Sequence, residues 1–263
     1  MKTIIKNQLI LIALICSVGI YLSSCKKKDD TPPPTPPANG SLAFHLHSNV
    51  DTNEVDTLGM VYVMTGGRKI SVSFAQLYIS GIQLVKPDGS TYAVPGTIIL
   101  KKQQTEPYNV GSVPAGNYTS VKFNIGLSAA TNASTPLSTD TTLYVKSMWL
   151  DTGSVQPSGF VFINFQGKID TTAAANGTIA QMVPFSYRIG TNAHLTSISM
   201  PTQNFTVAPH QTQYVHMIID YAKLFSGVKL NTSGNLTINT ASDNALPLAT
   251  LVADSIPRMI HYE

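Results

Sequence analysis

The sequence predicts an all-β protein, a single antiparallel β-sandwich with a short C-terminal helix. Apolar residues recur at every second position, as in Leu42, Phe44 and Leu46, and this is the period of a half-buried strand. Turn signals separate the alternating segments, and helical periodicity is scarce before the last part of the chain. Short strands joined by turns over one unbroken stretch, residues 41–263, are typical of an antiparallel sandwich.

The predicted strands follow one another from residue 42. Residues 70–85 form a long strand or strand pair whose alternation slips near Ala75 and Gly81, as β-bulges would cause. Residues 86–89 (KPDG) predict a turn, because Pro presets φ and Gly accepts the left-handed position. Residues 159–165 are apolar on both faces, which indicates a central strand. Further strands are predicted at 42–47, 60–64, 121–127, 183–189, 195–200, 213–220 and 235–240.

The predicted helix covers residues 243–256 (DNALPLATLVADSI). Leu248, Leu251 and Val252 recur at helical spacing, and Ser242 is a residue type that caps helices. Pro257 is expected to end the helix because it cannot continue the backbone hydrogen bonds.

The N-terminus predicts export and lipidation. Residues 1–24 combine Lys2 and Lys6 with an apolar run from Leu9 to Leu22, too short to span a bilayer, and this composition is typical of a secretory signal. Two small residues precede Cys25 in the segment 22–25 (LSSC), the pattern of a bacterial lipoprotein in which Cys25 is lipidated and becomes the mature N-terminus. The lipid anchor predicts a place in the outer membrane, with the domain either exposed on the cell surface or facing the periplasm.

A tether of residues 25–40 is predicted to separate the anchor from one folded domain, residues 41–263. Residues 26–30 (KKKDD) are either a surface-export signal of the kind found in some Gram-negative bacteria or a solvated charge run beside the anchor. Residues 31–40 (TPPPTPPANG) are proline-rich, hence stiff and extended, and lift the domain by about 30 Å.

Composition and cysteine usage exclude several classes of function. Without Lys2 and Lys6, 15 Lys and Arg side chains stand against 14 Asp and Glu, so a net charge near +1 gives no indication of nucleic acid binding. Cys16 leaves with the signal and Cys25 carries lipid, so the folded domain has no thiolate for a metal site, a disulfide or catalysis. The usual catalytic motifs are also missing, and we expect that the protein is not an enzyme.

Histidine is the residue type that points to chemistry. His45 and His47 are two apart on a predicted strand, so both side chains leave the same face, roughly 6.6 Å apart. Two imidazoles so placed can belong to one metal site, and without Cys the expected metals are copper or zinc. The alternative is a pair of solvent-facing histidines on a polar face. His216 is expected to be a hydrogen-bonded strand residue, and Trp149, the sole tryptophan, to fill the core.

Several segments together resemble the MbnP-like family of extracytoplasmic β-sandwich proteins, several of which are lipoproteins. No single motif is diagnostic, but the order and spacing of the segments are fairly specific. They are residues 42–47, 73–84, 113–118, 123–126, 158–162, 184–190 and 253–257.

The resemblance implies a copper-binding module. In this family Cu(I) is held by histidines beside an oxidised tryptophan that a di-haem partner enzyme produces. The resemblance places His47 at the first-strand histidine and Trp149 near the family's aromatic segment, but Arg188 stands where the second histidine is usual. Arginine only donates hydrogen bonds and cannot ligate a metal. His45 and, a few residues beyond Arg188, His194 are therefore the expected additional ligands.

The leading interpretation is an extracytoplasmic lipoprotein that binds or handles copper, with a lipid anchor and a di-haem peroxidase as partners. The alternative is a domain without metal that acts as a surface interaction or adhesion module, and Arg188 in place of histidine favours it. An enzyme ranks third, because no nucleophile, base or open metal triad can be assembled from the sequence.

Overall fold

Two β-sheets enclose the core in a computed structural model that describes residues 38–55, 57–151, 154 and 157–263. The predicted signal and Cys25 lie outside the described residues, as does most of the tether. The strands are β1 (Asn39–Val50), β2 (Asn53–Glu54), β3 (Val61–Val63), β4 (Lys69–Val85), β5 (Thr91–Ala93), β6 (Ile99–Lys101), β7 (Glu106–Pro114), β8 (Gly116–Tyr118), β9 (Ser120–Ile125), β10 (Val161–Ile169), β11 (Val183–Gly190), β12 (Thr196–Ser199), β13 (Phe205–Val207), β14 (Thr212–Asp220), β15 (Thr237–Ile238) and β16 (Ile260–Tyr262).

Helix is sparse in the described part of the chain, as predicted. The α-helices are α1 (Ala129–Asn132) and α2 (Pro247–Ala253). The predicted C-terminal helix is present but shorter than expected. It begins at Pro247, where the missing N–H costs nothing in the first turn, so Ser242 does not cap it. It ends at Ala253, before Pro257, which lies in a separate 3₁₀ turn. None of the described helices has the length and apolar composition needed to cross a membrane. Single 3₁₀ turns cover Lys146–Met148, Ile179–Gln181, Asn192–His194, Tyr221–Phe225, Ser233–Leu236, Asp243–Ala245 and Ile256–Arg258.

The first sheet is organised around β1. Its order is β16-β14-β1-β2, and β7 also pairs with β1. The pairing with β7 is antiparallel, whereas the pairing with β14 is parallel. The sandwich is therefore confirmed, but it is not purely antiparallel, since β11 and β15 also pair in parallel. Side-chain alternation reports which face is buried and carries no information on the direction of the neighbouring strand.

The second sheet has the order β12-β9-β4-β10-β11-β15, with β3, β5 and β6 on the long strand β4. The two predicted slips in β4 are register shifts: one lies opposite Gln166 and Gly167 of β10, and the other lies between Ser80 and Gln83. Gly81 sits in the second shift with φ of +61°, a conformation that favours glycine. β10 lies between β4 and β11, which confirms its predicted central place.

Alternation along the strands separates an inner core from two outer faces. Leu42, Phe44 and Leu46 of β1 have no exposed surface and pack in the core between the sheets. Each such side chain stabilises the fold by about 1.5–3 kcal/mol, so a one-residue slip of β1 would be costly. The odd-numbered residues of β1, His45 and His47 among them, consequently lie on the outer face of the first sheet.

The second sheet carries a separate apolar cluster on its own outer face. In β10, Ile163 and Phe165 belong to the core between the sheets, while Phe162 packs in a second cluster with Tyr78 and Trp149. Residues at alternate positions of one strand point to opposite faces, so this second cluster lies on the side of the second sheet that faces away from the first sheet.

Candidate metal centre

Strand register brings three histidines together on the outer face of the first sheet. His45 and His47 leave β1 on the same side, and the parallel pairing with β14 places His216 directly beside His45. The ring centroids of His45 and His47 are 4.8 Å apart, and so are those of His45 and His216. The sheet holds the backbone of all three residues, so the grouping follows from the register and not from a mobile loop.

Glu263 adds a carboxylate to these imidazoles. It follows β16, which pairs with β14. Its Oε2 lies 3.4 Å from Nε2 of His47 and 3.3 Å from Nδ1 of His216. His45, His47, His216 and Glu263, called the histidine cluster below, each offer one ligand atom, and these four atoms lie within 4.8 Å of one another.

Three separations among these atoms are close to those between neighbouring ligands of one metal ion. Copper or zinc bound at about 2.0 Å by nitrogen and oxygen would hold neighbouring ligand atoms about 2.8 Å apart in a square-planar site and about 3.3 Å apart in a tetrahedral one. Nδ1 of His45 and Nε2 of His47 are 3.1 Å apart, close to the two carboxylate separations of 3.3 and 3.4 Å. Small side-chain rotations would therefore be enough for the histidine cluster to surround an ion.

Glu54 fixes the orientation of the His47 ring by a hydrogen bond to Nδ1. Its Oε1 lies 2.8 Å from Nδ1 of His47, and the hydroxyl of Thr105 donates to the same oxygen. A neutral imidazole that donates from Nδ1 carries its lone pair on Nε2. Nε2 of His47 is the nitrogen that faces His45 and Glu263, so Glu54 leaves the correct atom free for ligation.

Electrostatics keep the ligands in their binding forms. Burial, together with the neighbouring rings of His47 and His216, lowers the pKa of His45 below its usual value of about 6.5. Hydrogen bonds from Thr105 and His47 lower the pKa of Glu54. At neutral pH the ring of His45 is therefore neutral and Glu54 is ionised, as a metal ligand and its supporting carboxylate must be.

Trp149 and Arg188 lie elsewhere, on the outer face of the second sheet. Trp149 has no exposed surface, and its Nε1 donates to the carbonyl of Leu143 at 3.0 Å. The guanidinium of Arg188 is buried and donates to the backbone carbonyl of Trp149. The structure therefore does not bring His47 together with position 188, because the two belong to opposite outer faces of the sandwich.

His194 is also away from the histidine cluster. It is buried in the turn that follows β11, and its Nε2 lies 2.8 Å from the carbonyl oxygen of Asn244. Asn244 in turn accepts from the N–H of Gly190 and donates to the carbonyl of Arg188. These contacts tie β11 to the segment before α2, so His194 has a structural role here.

Sequence reasoning did not assign His216, Glu263 or Glu54 to the site. The alternation of β14, with Val215 and Met217 buried, already indicates that His216 points outward. What the alternation lacks is the identity of the neighbouring strand. β1 and β14 pair in parallel although they lie far apart in the sequence, near opposite ends of the described residues. No local pattern predicts such a pairing.

The comparisons with known proteins agree with this fold. The sequence profile of the MbnP family matches residues 39–242, so the chain belongs to the MbnP family. A solved structure, MbnP from Methylosinus trichosporium, matches with a TM-score of 0.51 and 15% sequence identity, covering 81% of this chain and 87% of that chain. At this identity the likeness shows the fold alone. A comparison with curated proteins finds no match.

Proposed function

We propose that the protein is a lipid-anchored lipoprotein of the outer membrane that binds copper at the histidine cluster. The single observation that carries the proposal is the convergence of four ligand atoms within 4.8 Å of one another. Imidazole is a preferred ligand of copper, and the family resemblance points to the same metal. His47 and His45 are the principal ligands, and His216 and Glu263 complete the set.

The proposed role is binding and handling, without catalysis. Ser48 and Lys101 resemble a serine–lysine pair, since Nζ lies 2.8 Å from Oγ. Nζ also donates to the carbonyls of Lys102, Gln103 and Gln104, and burial lowers the pKa of Lys101 to about 7, so access and not protonation speaks against catalysis. Neither Ser48 nor Lys101 has any exposed surface for a substrate.

A di-haem peroxidase is the partner that the resemblance implies, with Trp149 as the residue it would oxidise. Trp149 lies on the opposite side of the sandwich from the histidine cluster, so an oxidised Trp149 would not ligate a metal held there. We therefore expect copper binding to be independent of any oxidation of Trp149. A mass shift confined to the peptide that contains Trp149 would reveal the modification.

Native mass spectrometry of the full-length lipoprotein in detergent tests copper binding. In titrations with Cu(I) and with Cu(II), each under a competing chelator, we expect one retained copper in at least one oxidation state, and we expect His47→Ala to weaken that binding at least about tenfold because a ligand is lost. The matched control is His210→Asn, which removes an exposed histidine at φ of +59°, a conformation that Asn accepts. Full copper affinity in His47→Ala would refute the site.

The second candidate function, a surface interaction module without metal, rests on the other outer face. Two clefts of about 640 and 730 Å³ lie there and share Gln166, Ser186 and Asn239. Amide and hydroxyl groups of this kind suit a hydroxyl-rich ligand such as a glycan. Failure to retain copper, combined with glycan-array binding that is lost in Gln166→Ala, would favour this function.

A further inference from the structure

We infer that the histidine cluster is built for divalent copper, with Glu54 as the residue that positions His47 for the ion. The inference rests on the proposed function and deepens it, since it specifies the oxidation state of the metal. The donor atoms, their net charge and the contacts behind His47 support it independently.

The donor atoms are of the type that divalent ions prefer. The histidine cluster offers three imidazole nitrogens and one carboxylate oxygen. Cu(I) is soft and prefers thiolate and thioether ligands but also accepts imidazole, so the carboxylate oxygen of Glu263 is the donor that favours Cu(II) or zinc. Met217, the neighbour of His216 on β14, points into the core with no exposed surface and so does not offer its sulfur. Among the divalent ions of the first transition row, Cu(II) binds such sites most tightly.

The charge of the site also matches a divalent ion. Glu263 is one of the four residues of the histidine cluster, and Glu54 contacts the nitrogen of His47 that points away from the other ligand atoms. Two carboxylates neutralise a doubly charged ion, whereas a singly charged ion would leave one negative charge in excess. Glu54 and Glu263 are 41% and 49% exposed, so solvent screens their charges. The charge of the site therefore contributes less to the preference for Cu(II) than the type of donor atoms does.

Glu54 completes a carboxylate–histidine–metal arrangement. Metal-bound histidines commonly donate their second N–H to a carboxylate, which fixes the ring and raises the basicity of the ligating nitrogen. The 2.8 Å contact between Nδ1 of His47 and Oε1 of Glu54 supplies this support, and Thr105 holds the carboxylate in turn. β2 places Glu54 opposite Asn49 of β1, two residues beyond His47, so the support belongs to the sheet itself.

The test compares Cu(II), Cu(I) and Zn(II) on the full-length lipoprotein in detergent, each against a chelator of known affinity, with Cu(I) kept under anaerobic reductant. We expect the ratio of the two copper affinities to place the reduction potential of the bound copper below that of the aqueous couple. We also expect electron paramagnetic resonance of the Cu(II) form to show coupling to several nitrogens. A potential above the aqueous couple, or binding of copper only as Cu(I), overturns the inference and leaves the proposed function standing. Failure to bind copper in either state refutes the proposed function as well.

Variants of Glu54 test the positioning role. Glu54→Gln keeps an acceptor for Nδ1 of His47 but loses the charge, and Glu54→Ala loses both. We expect Cu(II) affinity to fall about 10-fold to 100-fold in Glu54→Ala and less in Glu54→Gln, and we expect the resonance spectrum of the Cu(II) form to change. The matched control is Glu106→Gln, which removes a carboxylate on the neighbouring strand β7 that bonds to Tyr108. Equal affinities for Cu(II) in the wild type, Glu54→Ala and Glu106→Gln would overturn the role of Glu54.

Discussion

At the scale of single residues, the groups around each side chain decide whether it can join a metal site. His47 and His194 are both histidines on or beside strands, yet their second contacts differ. One nitrogen of each ring is hydrogen-bonded, to Glu54 in His47 and to the carbonyl of Asn244 in His194. The second nitrogen of His47 faces ligand atoms of His45 and Glu263, whereas His194 is buried away from the histidine cluster. The guanidinium of Arg188 donates to the carbonyl of Trp149. The residue type alone does not separate these cases.

The lowered pKa of His45 makes the stability of the metal-free protein depend on pH. The unfolded chain protonates His45 near pH 6.5, and the folded chain does so only at lower pH. As the pH falls through 6.5, the unfolded state takes up a proton first, so the free energy of unfolding decreases until the pH reaches the folded-state pKa.

We therefore expect chemical denaturation between pH 8 and pH 5, with chelator present, to show a loss of stability on the acid side that is smaller in His45→Asn. Above pH 7 the difference between wild type and His45→Asn should no longer change with pH. A wild-type protein that gains stability relative to His45→Asn on acidification would contradict this sign.

At the scale of secondary structure, the pairing of strands sets both the site and the sheet geometry. β1 pairs with β14 over nine residue positions, which aligns His45 with His216. In the second sheet, β4 and β10 approach so closely at Gly167 that a Cβ there would lie 2.0 Å from the carbonyl oxygen of Ser71. Glycine is needed at this point because the pairing partner is backbone, which cannot rotate away as a side chain can.

Gly167→Ala is therefore expected to lower the free energy of unfolding by about 3 kcal/mol, since the strands must separate to admit the methyl group. The control is Gly234→Ala, where a Cβ would meet no atom within 4 Å, and we expect a change within about 0.5 kcal/mol. Urea denaturation followed by Trp149 fluorescence measures both. Equal stabilities for the two variants would show that the close approach of β4 and β10 is easily relieved.

At the scale of the whole molecule, the sandwich separates two kinds of chemistry. The outer face of the first sheet carries the histidine cluster, and the outer face of the second sheet carries Trp149, Arg188 and the polar clefts. Packed sheets lie roughly 10 Å apart, so groups on opposite outer faces are separated by more than that distance. A metal on one face and an aromatic ring on the other cannot form one site.

This separation predicts that one equivalent of Cu(II) leaves most of the Trp149 fluorescence intact, because quenching by a bound ion requires close approach. His47→Ala should weaken the binding and with it reduce the small residual quenching. Strong quenching at one equivalent that persists in His47→Ala and disappears in His194→Ala would instead place the metal beside the second sheet.

Four features could be predicted from the sequence: the class of fold, the central place of residues 159–165, the C-terminal helix and the shared face of His45 and His47. These features depend on neighbours in the chain: alternation, proline and glycine act over a few residues. The tertiary structure alone decided that His216 and Glu263 join His45 and His47, and that Arg188 and Trp149 lie on the opposite face. The physical reason is that strand order and direction depend on the packing of segments far apart in the chain, on which local periodicity carries no information.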